Sequence, residues 1–353
     1  MYRKSALMTF YAESPIHMGA GQSVSYIDLP IQRERHTDFP VLWASGIKGV
    51  IRDYVSRRWN DKDKVETIFG PNDGSSDFAS CISITDAKIL LYPVRSVKGV
   101  FAWITCPFVL KRFNDDLKAL NTESEIPIPE FPKMNNSGEQ DDEKILITQD
   151  SKLKIDENKV ALEEFVFEAN QINIDKDFAQ SLGNFLPNNS LTNDLNGHIA
   201  IVSDNIFKDF VNYAVEIRTR IRIDQAIGTV KEGALFSEEL VPSESIFYSL
   251  IFISEPYFGI KKGLYEELAK DRNNEPNWDT VKGKLEGDGI ITKLQSAWRG
   301  GYFRADEIMN SLDELLNNSF LQLGGNETTG KGYVRVKLCS TNHSGGGKNE
   351  KNS

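Results

Sequence analysis

The 353-residue sequence is poor in the features that build disulfides, metal clusters and membrane spans. Its cysteines are odd in number, lie far apart and show no CxxC spacing, which argues against a disulfide framework and a zinc site. We therefore expect buried free thiols at Cys81, Cys106 and Cys339. No apolar run approaches the ~18 residues that a membrane span needs, and the N-terminus leads into a strand-like segment instead of a signal peptide. These absences predict a cytoplasmic protein without membrane contact.

The sequence also lacks the overall positive charge that nucleic-acid-binding domains usually carry. Its formal net charge is −10. The first 58 residues nevertheless hold eight Lys and Arg against five Asp and Glu, a local charge of +3. We therefore predict a basic groove on an acidic body, which would bind a polyanion locally and resist nonspecific binding elsewhere.

Two batches of strand and helix patterns predict an α+β fold with a ferredoxin-like (RRM-type) core, in which helices cover one face of a sheet. No internal repeat is visible. The predicted elements are a buried strand from Ser5 to Ala12, a helix from about Gly46 to Trp59, a hairpin-like pair formed by Ile82 to Tyr92 and Val100 to Leu110, a helix from Asp204 to Ala214 capped by Asp204, and a helix from Phe303 to Leu316.

One later strand alternates strictly between arginine and apolar residues. Arg218, Arg220 and Arg222 fall on one face, and Ile217, Thr219, Ile221 and Ile223 fall on the other. This pattern predicts one face against the core and one face that meets anions, either RNA or an acidic neighbouring surface. The chain then returns through Leu235 and Phe236, which predicts a long hairpin with a projecting tip.

We expect a single elaborated domain over residues 1–339. Three segments depart from its composition: a polar, proline-containing insertion at 114–159, the projecting hairpin tip at 224–244, and a charged insertion at 257–298. Residues 340–353 are rich in Gly, Ser, Asn and Lys and predict a disordered tail.

The strongest candidate for catalysis is Asp28, a lone carboxylate in an apolar setting. Arg33, Arg35 and His36 follow it in a run too charged to be core, which predicts an exposed loop. A carboxylate among arginines can accept a proton or hold a metal ion, and phosphodiester cleavage by a neighbouring hydroxyl uses either. The alternative is a structural salt bridge from Asp28 to Arg33 or Arg35.

Cationic side chains also lie at the start of the predicted helix that follows this loop. Lys48 and Arg52 are spaced i, i+4, on one face beside the positive end of the helix dipole. We expect an anion to bind there, and we assign Arg33 and Arg35 to the same phosphate backbone. The alternative for each is an exposed surface charge.

His17 and His36 are the candidate proton carriers, because histidine alone titrates near neutrality without perturbation. The alternative for both is a hydrogen-bonded structural role or a phosphate contact. A glycine-rich segment from Leu323 to Gly332, LGGNETTGKG, is typical of a phosphate cradle because glycine lets backbone N–H groups approach an anion. Gly324, Gly325 and Lys331 are its candidate ligands, and a purely structural turn is the alternative.

Three motifs carry a family resemblance. HMGAGQ at His17 to Gln22, DLPIQRERHT from Asp28 to Thr37 with SGIKGVIR after it, and the glycine-rich segment resemble the signatures of RAMP proteins, the ferredoxin-like RNA-binding subunits of CRISPR effectors. The run from Asp28 to Thr37 is similar to the backbone subunit of the type III-B (Cmr) complex. ITDAKILLYPVRSVKGVFAWIT, at Ile84 to Thr105, extends the resemblance to the middle of the chain.

The resemblance implies a guide-directed endoribonuclease that assembles with copies of itself along a CRISPR guide RNA, together with other type III-B subunits, and cuts complementary single-stranded target RNA. It assigns the cut to Asp28 and the unstacking of the guide–target duplex to the hairpin tip, called the thumb. The open face of the sheet would be the RNA platform, as such sheets often are. Because no carboxylates cluster, we expect a divalent ion, Mg²⁺ or Mn²⁺, to be held by Asp28, RNA phosphates and water.

Two other classes of function stay open. One is a scaffold subunit that binds RNA without chemistry, and the other is a ribonuclease that processes CRISPR repeats. The aspartate in IDLPIQRERHT is the discriminating residue. What the resemblance implies is that scaffolds of this kind lack it and that repeat-processing enzymes have a histidine-centred site in its place.

Overall fold

The computed structural model describes residues 2–23, 26–71, 79–122, 125–134, 138–169, 174, 176–187, 189–224, 226–270, 272–285 and 288–340. Its strands are β1 (Lys4–Ala12), β2 (Val41–Leu42), β3 (Ile82–Ile84), β4 (Ala87–Arg95), β5 (Phe101–Thr105), β6 (Leu146–Ile147), β7 (Lys159–Leu162), β8 (Phe165–Glu168), β9 (Ile199–Ile201), β10 (Glu216–Ile223), β11 (Val230–Leu240), β12 (Ile246–Ile253), β13 (Phe320–Gln322) and β14 (Tyr333–Ser340). Its α-helices are α1 (Ala44–Trp59), α2 (Lys62–Phe69), α3 (Pro107–Ala119), α4 (Lys176–Gly183), α5 (Asn189–His198), α6 (Asp204–Tyr213), α7 (Lys262–Lys270), α8 (Trp278–Lys282), α9 (Asp288–Arg299) and α10 (Ala305–Leu316).

The predicted α+β class is confirmed by a large sheet with strands in the order β13-β14-β1-β12-β4-β5-β9-β6, where β2 also pairs with β4 and β3 with β12. Within it, the four consecutive strands β14-β1-β12-β4 each run antiparallel to their neighbours. With α1 after β1 and α10 before β14, this order is that of a ferredoxin-like core. Only β5 and β9 run parallel among the described strands of this sheet.

Both faces of the central strands are buried, so the expectation of an open sheet face as RNA platform is wrong. Residues 6–12 of β1 are all buried, as are seven of the eight residues of β12. On one face Phe113 of α3 stacks edge-on against Tyr248 and Phe185. The Thr9 hydroxyl donates a hydrogen bond of 2.6 Å to the carbonyl of Phe185. Helix α3 and the segment around Phe185 therefore cover the face that would have bound RNA.

The hairpin of β4 and β5 is shorter than predicted. The second strand ends at Thr105 and not at Leu110, because Pro107 begins helix α3 at its first turn, where proline is favoured. The predicted polar insertion at 114–159 consequently begins inside this helix. Asn114 is buried and its side chain bonds both the N–H and the carbonyl of Ile126.

Two further helical segments differ from expectation. Helix α6 is capped by Ser203, whose hydroxyl accepts the N–H of Ile206, whereas the Asp204 carboxylate accepts the N–H of Phe108 at 2.9 Å. The charged segment at 257–298 contains α7, α8 and α9, and it packs Trp298 against Phe303 in the core. Among the described residues no helix is both long and apolar enough to cross a membrane.

Strands β10 and β11 form a separate two-stranded hairpin, the projection predicted from sequence. It stands off the main sheet, so the expectation that its isoleucine face meets the core is wrong. Ile217, Ile221 and Ile223 are each about half exposed, at 54%, 51% and 55%. Gln225, within the predicted tip, and the tail from residue 341 lie outside the described residues.

Candidate RNA interface and active site

Asp28 lies beside the base of the thumb hairpin, where its segment adds a short parallel pairing to the free edge of β11. The N–H of Leu29 donates to the carbonyl of Ser237 at 3.1 Å, and the N–H of Glu239 donates to the carbonyl of Leu29 at 3.0 Å. The Asp28 carboxylate is exposed, and its Oδ2 accepts the N–H and the hydroxyl of Ser237 at 2.7 and 2.9 Å. These hydrogen bonds lower the pKa of the Asp28 carboxyl below its usual range, the backbone donor contributing most.

Asp28 makes no ion pair with any residue that the structure describes, so the alternative of a salt bridge to Arg33 or Arg35 is wrong. Arg33 donates instead to Glu239 Oε1 at 2.6 Å, to Asn212 Oδ1 and to two backbone carbonyls. These bonds give Arg33 a structural role in the loop, and its contact with a phosphate stays a prediction. Arg35 is exposed and has no hydrogen-bond partner among the described residues, so it stays a candidate phosphate ligand.

Two buried carboxylates at the thumb base organise this region. Glu239 accepts the N–H of Ile31 at 3.0 Å besides pairing with Arg33. Glu238, whose side chain is 3% exposed, pairs with Arg220 at 3.3 Å and accepts a hydrogen bond from the side-chain amide of Asn326. One face of β11 is thereby fixed to the Asp28 loop and the other to the glycine-rich segment.

His17 is buried and hydrogen-bonded, in agreement with the structural alternative. Its Nδ1 lies 2.8 Å from the carbonyl of Glu239, and its Nε2 lies 3.7 Å from Glu238 Oε1. His36 differs in that its side chain is 73% exposed and lies 4.0 Å from Glu34. Glu34 is fixed by both of its oxygens to Arg112, at 2.9 and 2.8 Å. Of the two histidines, only His36 is accessible to a substrate.

The glycine-rich segment is a tight corner built around His17. The N–H of Gly325 donates to the carbonyl of His17 at 2.8 Å. Gly324 has φ +80°, and a Cβ there would lie 2.3 Å from the same carbonyl oxygen. A Cβ on Gly332 would lie 1.9 Å from the carbonyl of Leu323. These glycines are required by packing, which supports a structural turn, and phosphate binding by the segment stays a prediction.

A cluster of cationic side chains forms where β10 passes the glycine-rich segment. Arg220 donates to Asn326 Oδ1 at 2.8 Å, and Arg218 pairs with Glu216. Burial lowers the pKa of Lys331, and Arg218 and Arg220 lower it further. Arg222 is exposed with no hydrogen-bond partner among the described residues. Three positions predicted to bind RNA therefore lie close together, namely Arg218, Arg220 and Lys331, and Arg222 follows further along β10 with an exposed side chain.

Lys48 and Arg52 lie on α1 as predicted, and both are partly buried. The Lys48 ammonium donates to the carbonyl of Ile82 at 3.0 Å, and burial lowers its pKa. One terminal nitrogen of Arg52 is buried without a hydrogen-bond partner among the described residues. An unpaired buried donor is costly. Binding by these two residues stays a prediction.

A divalent ion has few protein ligands available. Among the described residues, no three His, Cys, Asp or Glu side chains lie close enough to hold one. Asp28 Oδ1 has no hydrogen-bond partner among them, and metal binding by Asp28 stays a prediction. All three cysteines are free, as predicted; Cys81 and Cys106 are buried and Cys339 is partly so.

Ser237, Glu238 and Glu239 are the residues of this region that sequence analysis missed. Two adjacent acids before the apolar pair Leu240 and Val241 are unusual at the end of a strand, because one of them must point inward. That signal could have indicated buried ion pairs. Nothing in the sequence indicated their partners: Ser237 and Asp28 are 209 positions apart, Glu239 and Arg33 are 206 apart, and Glu238 and Asn326 are 88 apart.

The fold and the convergence of the three motifs agree with comparisons to known proteins. The RAMP superfamily model matches residues 9–335. The Cmr endoribonuclease Cmr4 of Pyrococcus furiosus is 36% identical over 97% of this chain and 98% of its own length. The CMR subunit Cmr4 of Saccharolobus solfataricus is 28% identical over 69% of this chain and 85% of its own. The chain therefore belongs to the RAMP superfamily and, within it, to the Cmr4 family, and the resemblance found in the sequence is confirmed.

A solved structure agrees as well. Oligomeric Cmr4 from Pyrococcus furiosus superposes with a TM-score of 0.61 and 30% identity, covering 96% of this chain and 98% of that one. The whole described fold, insertions included, is thus of the Cmr4 type.

Proposed function

We propose that this chain is a backbone subunit of a type III-B CRISPR effector complex, which lines up with further copies along a guide RNA and cuts the paired target RNA beside Asp28. The observation that carries the proposal is the exposed Asp28 carboxylate, fixed to the thumb base with one oxygen unpaired among the described residues. Support comes from a relative of nearly equal length that is named a Cmr endoribonuclease.

The chemistry follows from the state of this carboxylate. Hydrogen bonds from Ser237 lower the pKa of Asp28, so the group is ionised throughout the neutral range and can accept a hydrogen bond from a ribose 2′-hydroxyl. The oriented 2′-hydroxyl gives up its proton to solvent as its oxygen attacks the adjacent phosphorus in line, the bond from phosphorus to the 5′-oxygen breaks, and solvent protonates the departing 5′-oxygen. The products are a 2′,3′-cyclic phosphate and a 5′-hydroxyl.

A divalent ion, Mg²⁺ or Mn²⁺, would be held by Asp28 Oδ1 together with RNA phosphates and water, since the described residues supply no cluster of carboxylates there. Such an ion would stabilise the charge that develops on the phosphate oxygens. Asp28 itself orients the hydroxyl, and Ser237 keeps its second oxygen occupied.

The partners follow from the surfaces described above. Arg35, Lys48, Arg52 and Arg222 are proposed to contact guide or target phosphates, and the exposed apolar residues of the thumb are proposed to wedge into the paired RNA. The solved relative is described as oligomeric, which supports assembly with copies of itself. Other type III-B subunits and a cytoplasmic location complete the proposal.

Of the rival functions, repeat processing around histidine is disfavoured by the buried position of His17. A pure scaffold remains the rival that an experiment must exclude. We would assemble the complex with guide RNA and incubate it with end-labelled target RNA, with and without EDTA. The proposal predicts regularly spaced products ending in 2′,3′-cyclic phosphate. It also predicts that a cut is lost when the nucleotide whose 2′-hydroxyl attacks is replaced by a 2′-deoxynucleotide. Binding without any product would favour the scaffold.

A further inference from the structure

Ser237, on the thumb strand β11, makes more contacts with the Asp28 carboxylate than any other described residue. Its N–H donates to Asp28 Oδ2 at 2.7 Å and its hydroxyl donates to the same oxygen at 2.9 Å. The hydroxyl oxygen in turn accepts the N–H of Asp28 at 3.0 Å. One serine thus closes a ring of hydrogen bonds with both the backbone and the side chain of a single aspartate.

We propose that Ser237 is a positioning residue for cleavage: it holds Asp28 Oδ2 against the thumb strand, so that Oδ1 faces the RNA. This inference rests on the proposed role of Asp28. It assigns to the thumb a second task besides contact with RNA, since the strand that projects toward the paired RNA also sets the orientation of the carboxylate.

The geometry explains why the carboxylate needs such a clamp. Asp28 is exposed and has no ion-pair partner among the described residues, so no cation fixes its rotamer. An aspartate on an exposed loop would otherwise sample several rotamers, and the reacting oxygen would be in position only part of the time. The paired backbones of Leu29 and β11 hold the main chain, and the Ser237 hydroxyl holds the side chain.

The same ring predicts which substitutions are tolerated. Threonine retains a hydroxyl on Cβ and fits a strand, so it can form the same two bonds. Alanine keeps the N–H of residue 237 and loses both contacts of the hydroxyl. Cysteine keeps the shape but offers only a weak donor. Thr219 faces Ser237 across the hairpin, and its side chain makes no hydrogen bond with a described residue, which makes it a matched control.

The test is single-turnover cleavage of target RNA by the assembled, guide-loaded complex, alongside target binding by filter retention. In S237A we expect the rate at saturating target to fall about tenfold, the effect of losing one hydrogen bond to a charged group. Target affinity should be unchanged, S237T should restore the rate, S237C should resemble S237A, and T219A should equal the wild type. If S237A does not assemble, S237C and S237T carry the same comparison.

Two results would overturn the inference alone, provided that D28A is inactive. One is a wild-type rate in S237A or S237C, and the other is a rate for S237T as low as that of S237A. A fully active D28A complex would overturn the role of Asp28 itself and the inference with it. The D28A measurement therefore distinguishes a wrong role for Ser237 from a wrong role for Asp28.

Discussion

Gly324 lies where two of the sequence motifs meet, because a Cβ on it would be 2.3 Å from the carbonyl oxygen of His17 and 3.2 Å from the Cα of Met18. Its φ of +80° already favours glycine, and the neighbouring carbonyl leaves no space for a side chain. Gly330, in the same segment, has a similar φ of +75° but open space around it. Alanine substitutions at these two glycines therefore distinguish the cost of backbone strain, common to both, from the cost of a steric clash, present only at Gly324.

We predict that G324A lowers the free energy of unfolding by about 2 to 4 kcal/mol, which combines the left-handed backbone with overpacking. G330A should cost only the backbone part, about 1 to 2 kcal/mol. Urea unfolding followed by tryptophan fluorescence would give both values. Equal losses in the two variants would show that contact with His17 does not stabilise the corner.

At this scale the sequence predicted types of residue better than their partners. Asp28 and the polar loop are where the motif indicated, but Arg33 and His17 have structural roles that only Glu238 and Glu239 explain. Glu238 and Glu239 are distant from both residues in the sequence, and the backbone pairing of Leu29 with β11 brings them close. No local pattern encodes such a pairing.

At the scale of single elements, β10 shows what an alternating pattern can and cannot establish. It correctly separated arginines from isoleucines. It could not show that the hairpin stands away from the sheet, so the apolar face is exposed and not packed in the core. The three arginines also differ, because Arg220 pairs with Glu238 and Asn326 while Arg222 is exposed.

We predict that R222A reduces the dependence of guide-RNA affinity on salt by about one unit of slope and leaves stability unchanged. R220A removes the same charge but leaves the buried Glu238 with fewer partners, and we expect it to lower the free energy of unfolding by about 1 to 2 kcal/mol. Binding titrations at several salt concentrations and thermal unfolding would distinguish the two. An unchanged slope in R222A would exclude a phosphate contact there.

Boundaries of elements were the least predictable feature at this scale. The strand expected to reach Leu110 stops at Thr105, because Pro107 starts a helix whose Phe113 was needed to cover the sheet. Likewise the segment at 257–298 looked merely charged, yet its helices bury Leu294 and Trp298. Tertiary packing decided both cases.

For the molecule as a whole, the thumb hairpin of β10 and β11 is separate from the main sheet, and its base is bonded to the loop that carries Asp28. Its tip carries exposed apolar side chains, including Ile227 at 70% and Leu235 at 66% exposure. Such side chains lower solubility unless they meet a partner, and a wedge between base pairs would supply one.

We predict that replacing residues 222–234 by Asn-Gly, which favours a two-residue turn, preserves the fold and the contact between Ser237 and Asp28. Cuts in the target should lose their regular spacing, because the distortion that aligns the 2′-hydroxyl is lost. Sequencing gels and filament length by sizing chromatography would test this. Unaltered spacing together with unaltered filament length would exclude both a wedge and a contact with the next subunit.

The central claim is that the Asp28 carboxylate is required for cleavage of target RNA. Single-turnover cleavage by complexes carrying D28N tests this claim most directly. D38N is the matched control, because Asp38 is an exposed acid of the neighbouring loop, paired only with Lys208 at 3.4 Å among the described residues, and asparagine tolerates its φ of +63°. We predict that D28N assembles and binds target RNA normally but does not cut, whereas D38N cuts at the wild-type rate. Full cutting by D28N would contradict the account.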